Sequence, residues 1–296
     1  MKSQFADVQS FVGEVQRLDD LKQDFIVSQD IMQMWGDKEL YFNGAPGPFP
    51  LKDLAHDQIA AKLGIPRNYY DKMLDIPGLR SYTVNSWLKH EGKEKRLVRT
   101  QDGFARAYLS DRFRPLDNLL IVGAALPVLA ENPDLQVRTA TITDSRLYLQ
   151  VSFPKIAGEI RVGDVVEFGF TLTTSEVGQG KVDVQKWFHQ LKCKNGYVGE
   201  SIFSRRHVGR RLGDVEEDYG IFKDETIEAE MKAFQLRLRD ILADAINEKA
   251  FREDLTRFKN AAGDTFLHSE AESVVKNVTR SEERRVGKEC RSRWPP

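Results

Sequence analysis

The chain has few cysteines. Of its 296 residues only Cys193 and Cys290 are of this type, which excludes a disulfide framework or a multi-cysteine zinc site and fits a reducing compartment. No stretch of about 18 apolar residues occurs, so no membrane span is expected. The N-terminus, MKSQFADVQSFVGEV, has no apolar signal core, so the expected compartment is the cytoplasm. The five histidines, His56, His90, His189, His207 and His268, are scattered without H-x-x-x-H or H-E-x-x-H spacing, and no metal site is expected. Gly178-Gln179-Gly180-Lys181 lacks the spacing of a phosphate loop. Two nucleophiles can be named. Cys193 with His207 or His189 could form a thiol–imidazole pair, but a lone cysteine in a strand is expected to be a small buried hydrophobe. Ser110-Asp111 has no G-x-S-x-G context. These absences argue against an enzyme, and no cofactor is expected. An excess of one charge is missing too, with 44 Lys and Arg against 45 Asp and Glu. Any polyanion must therefore be held by a local patch.

The last residues stand apart. From Arg280 the chain reads RSEERRVGKECRSRWPP, a string that resembles a translated sequencing adapter. Residues 280–296 are therefore read as a non-native tail. The tail contributes +3, leaving residues 1–279 near −4, and it takes Cys290 with it. Cys193 is the single native cysteine.

What is present predicts an α+β fold in two regions, a mostly helical N-terminal region at 1–80 and a core domain at 81–279. Residues 5–35 show no firm period, and Asn43 to Pro50 is a Pro/Gly-rich loop. Asp53 to Leu63 reads as a helix ended by Gly64, and Pro66 opens another running to about Leu74. Asp102-Gly103, Asp144-Ser145 and Asn195-Gly196 mark three hairpin turns in a mostly antiparallel sheet from 94 to 206. Val166, Phe168, Phe170 and Leu172 alternate with polar residues along a strand at Val165–Thr174. Leu116–Leu129 is apolar at helical spacing, stopped by Asn132-Pro133. A stripe from Ile227 through Met231, Phe234, Leu238 and Ile241 predicts one long C-terminal helix at about 224–260, packed on the sheet.

Several ordered motifs then carry a resemblance. These are Arg106-Ala107-Tyr108-Leu109-Ser110-Asp111-Arg112-Phe113-Arg114-Pro115-Leu116-Asp117-Asn118, Thr174-Ser175-Glu176-Val177-Gly178, Cys193-Lys194-Asn195-Gly196 and Arg206-His207-Val208-Gly209, with Leu63-Gly64-Ile65-Pro66 and Tyr69-Tyr70 upstream. In order and spacing they resemble a phage and plasmid protein family, domain-of-unknown-function family 932. Lys194 departs from it, standing where Thr or Asn is commoner. The resemblance implies a bacteriophage or mobile-element origin, hence the cytoplasm of an infected or plasmid-bearing bacterium, and supplies no activity.

Function must come from the residues. Between Lys192 and Arg211 lie six Lys or Arg against the single Glu200, with Tyr197 and Phe203 among them. Basic residues attract phosphate and aromatic faces stack bases. A nucleic-acid surface is therefore expected from Arg106, Tyr108, Arg112 and Arg114 around one hairpin, and from Lys192, Lys194, Asn195, Arg205, Arg206, His207, Arg210 and Arg211 on another. Single-stranded DNA is the favoured partner, in binding or annealing during recombination, and a homo-oligomer would suit that role. Two alternatives stand beside it. Residues 58–73 resemble a helix-turn-helix that would make the protein a duplex-DNA regulator, with Arg67, Asn68 and Tyr69 leading the recognition helix. The chain could instead bind a host factor.

Overall fold

In a computed structural model, residues 2–160, 162, 165–190, 197–205 and 224–263 are described. In chain order the elements are β1 (Lys2–Phe5), α1 (Val8–Asp20), β2 (Lys22–Ser28), β3 (Met32–Trp35), β4 (Glu39–Phe42), β5 (Phe49–Pro50), α2 (Asp53–Lys62), α3 (Arg67–Lys72) and α4 (Leu79–Glu91). They continue with β6 (Lys95–Gln101), β7 (Phe104–Ser110), α5 (Asn118–Ala130), β8 (Gln136–Thr143), β9 (Leu147–Glu159), β10 (Val165–Thr174), β11 (Val182–Gln190), β12 (Tyr197–Arg205), α6 (Asp224–Ala245) and α7 (Glu248–Gly263). The class is α+β and every sheet is antiparallel, with one isolated parallel bridge between Leu51 and Ala105.

The largest sheet has six strands in the order β1-β8-β9-β10-β11-β12. Its apolar face follows from alternation along each strand. Val166, Phe168, Phe170 and Leu172 are buried beside Leu147, Leu149, Val151 and Val184. Four helices add side chains to that core. Phe11 and Val15, one turn apart on α1, are buried there, and the Asp7 carboxylate caps that helix by accepting from the Ser10 N–H at 2.8 Å. Helix α5 buries Ile121, Val122, Ala125 and Val128 in the same core, and is apolar on nearly every side because it lies among other elements. Helix α6 adds Phe234 and Leu238, and α7 adds Phe251 and Leu255. Each fully buried Phe or Leu is worth about 1.5–3 kcal/mol of transfer free energy.

Two three-stranded sheets, β2-β6-β7 and β3-β4-β5, form a second body with α2, α3 and α4 around Met32, Met34, Phe42, Ile59, Tyr70 and Val98. The β6–β7 turn is tight, with φ of 52° at Asp102 and 77° at Gly103, the paired positive values that favour Asp-Gly.

The structure departs from expectation in three places. The chain crosses residue 80 between bodies more than once: β1 and α1 belong with the six-stranded sheet, whereas β6 and β7 pair with β2. The unpatterned 5–35 stretch holds one helix and two strands. The long C-terminal helix is two helices, because Asn247 breaks it. The Asn247 side chain accepts from the Lys249 N–H at 2.9 Å, an N-cap that starts α7 afresh. The β11–β12 hairpin forms, but its connection at 191–196, including Asn195-Gly196, lies outside the described residues, as does Cys193.

Candidate nucleic-acid interface

Arg106 and Tyr108 do not belong to any surface. They are 6% and 1% exposed. Arg106 is the extra residue of a β-bulge, since Arg99 pairs with Ala107 while Thr100 pairs with Ala105. Its Nη1 donates to Glu176 Oε1 at 2.6 Å, and the other oxygen of Glu176 accepts from the Asn118 N–H at 3.0 Å, in the first turn of α5. Arg99, wholly buried, donates to Asp24 at 2.9 Å, to Asp117 at 2.7 Å and to the Glu176 carbonyl at 2.6 Å. Lys22 donates to Asp19 and Asp117, each at 2.6 Å. Burial opposes the charged form of Asp117, but Arg99 and Lys22 outweigh it and hold the carboxyl below its usual range. Burial also opposes the charge of Lys22, and Asp117 and Asp19 keep its pKa raised. The Thr174-Ser175-Glu176-Val177-Gly178 motif thus forms a clasp between the two bodies.

Gln58 completes the clasp from α2. Its amide donates to the Val177 carbonyl at 2.8 Å and its oxygen accepts from the Tyr108 N–H at 2.7 Å. On the outer side of α2 and α3, Arg67 donates to Asp71 at 2.8 Å and pairs with Asp57. Asn68 and Tyr69 are exposed, but α3 has six residues, about 9 Å of helix. The helix pair is bonded into the fold, and its one leading cation is held by carboxylates.

Of the other expected residues, Arg112 is exposed, and Arg114 is half-buried with its Nη1 on the Asp111 carbonyl at 3.1 Å. Lys192, Lys194, Asn195, Arg206, His207, Arg210 and Arg211 lie outside the described residues. Arg205 closes β12. That strand starts at Tyr197 opposite Phe188 and ends at Arg205 opposite Val182. The segments before and after it therefore leave from opposite ends of an edge strand, about 26 Å apart. The basic run is divided in two by the strand it contains.

The register exposes a feature that sequence reading missed. On the face turned away from the apolar core, one row across the sheet reads Gln4, Thr141, Tyr148, Thr173, Asp183, Ser204. The next reads Thr139, Gln150, Thr171, Gln185, and a third reads Gln136, Ser152, Gly169, Trp187. Tyr148, Gln150, Thr171, Thr173 and Gln185 are half-buried, so this polar face is partly open. Trp187 lies across Gly169, where an added Cβ would fall 2.6 Å from the indole. Its charges are locally matched: Arg138 pairs with Glu167 at 2.6 Å and Lys181 with Asp183 at 3.1 Å.

No family model, curated protein or solved structure matches this chain. Among the described residues no group of three or more His, Cys, Asp or Glu is placed to hold a metal ion, and no helix is long and apolar enough to cross a membrane.

Proposed function

We propose that the protein binds single-stranded nucleic acid, without catalysis, on the open polar face of the six-stranded sheet and along its β12 edge. The observation that carries this reading is the sheet's asymmetry. Helices bury one face, while the other presents half-buried hydroxyls and amides in register across the strands, with Tyr148 among them. A sheet braced on one side and open on the other is a surface on which unpaired bases can spread and hydrogen-bond. The basic residues around β12 in sequence, Lys192 and Lys194 before it, Arg205 at its end and Arg206, Arg210 and Arg211 after it, supply cations for the phosphates. A phage or mobile-element origin, the expectation drawn from the resemblance, is compatible with such binding in recombination.

The test is a titration of the purified protein against single-stranded and duplex DNA at several salt concentrations. Binding is expected to favour the single strand. Replacing Arg205 and Arg206 with Ala should flatten the log–log salt dependence by roughly 0.7 per lost contact. Failure to bind single strands at low salt overturns the reading.

A further inference from the structure

We infer that the bound strand lies base-side down: nucleobases, not phosphates, contact the polar rows. The inference rests on the reading above and assigns the division of labour within that site. A surface that grips phosphate needs cations free to reach it. The Thr141–Tyr148 and Thr139–Gln150 rows contain no Lys or Arg. Two basic side chains beside them are already engaged. Arg138 donates to Glu167 at 2.6 Å and to Ser152 Oγ at 2.8 Å, and Arg146 donates to the Gln179 carbonyl at 2.8 Å. The one carboxylate in those rows, Asp183, is 4% exposed and accepts from Gln185 at 2.6 Å.

What the rows do offer is neutral. Gln150 and Gln185 flank Thr171 on adjacent strands, about 10 Å apart across the central strand. An amide presents a donor and an acceptor together, the pairing that reads an adenine edge and, more generally, the edge of an unpaired base. Ser152 and Trp187 in the third row are 0% and 3% exposed, so the bases are confined to the first two rows. Phosphates then fall outside the rows.

The experiment compares a short single-stranded oligonucleotide with an abasic strand of equal length, by fluorescence anisotropy on the full chain. The abasic strand is expected to bind at least about tenfold more weakly, since each stacked base contributes on the order of tenfold or more. The variant Gln150→Ala should lose about tenfold on the base-bearing strand and nothing on the abasic one, with an unchanged thermal midpoint. Equal affinity for the two strands overturns this inference alone, as does a variant that weakens both equally. Binding of neither strand overturns the proposed function with it.

Discussion

The clasp around Glu176 and the polar face of the six-stranded sheet are both rich in polar side chains, yet they use them oppositely. In the clasp, Arg99, Arg106, Lys22, Asp117 and Glu176 satisfy one another inside the protein. On the sheet face, Tyr148, Gln150, Thr171 and Gln185 remain half-buried and within reach of a ligand. The comparison teaches that charge density in a motif marks where a fold is tied together as readily as where it works. The stretch Arg106 to Asn118 and the Thr-Ser-Glu-Val-Gly segment hold two bodies together. The quieter alternation of Thr and Gln makes the proposed binding surface.

Breaking the clasp gives the largest expected effect. Arg99→Ala leaves Asp24 without its buried cation and Asp117 with Lys22 alone, and should cost about 3–5 kcal/mol, read as a lower urea midpoint. The folded fraction should keep its single-strand affinity, and loss of affinity without loss of stability would invert the comparison.

Acid should act on the second body next. His56 is buried against Tyr70, with its Nδ1 2.7 Å from the hydroxyl, and burial, with Arg80 and Arg67 nearby, lowers its pKa to about 4. The folded state therefore favours neutral His56. That stability is complete above the unfolded value near 6.5 and declines as pH falls from there toward about 4, at most by about 1.4 kcal/mol per pH unit. Urea midpoints measured across this window should fall, and His56→Gln should flatten the decline.

A milder break is Glu176→Gln, which keeps the acceptor for the Asn118 N–H but removes the charge facing Arg106. It should cost about 1–3 kcal/mol in thermal unfolding, without a change in nucleic-acid binding.

Much of the fold was legible locally. Residues Val165–Thr174 form β10 with the bounds that their alternation predicts, and Asp102-Gly103 turns the β6–β7 hairpin as its backbone preference requires. Residues 5–35 were not legible. Helix α1 buries only Phe11 and Val15, and β2, KQDFIVS, mixes faces along an edge strand. Asn247 gave a cap signal that the continuing apolar stripe obscured. The site was least legible. Arg106 meets Glu176 from 70 residues away, so nothing nearby in sequence announces that its charge is spent. The rows depend on the register of six strands, and no single strand carries it.

On the sheet face the same comparison predicts the reverse balance. Tyr148→Ala should weaken single-strand binding by about 1–3 kcal/mol and leave stability within about 0.5 kcal/mol. The most direct test of the central claim is ultraviolet crosslinking of a single-stranded oligonucleotide to the full chain, with the crosslinked peptides located by mass spectrometry. The account predicts adducts on β9 at Tyr148 and on the neighbouring strands β10 and β11. Adducts confined to residues 53–72, or none on the sheet, would contradict it.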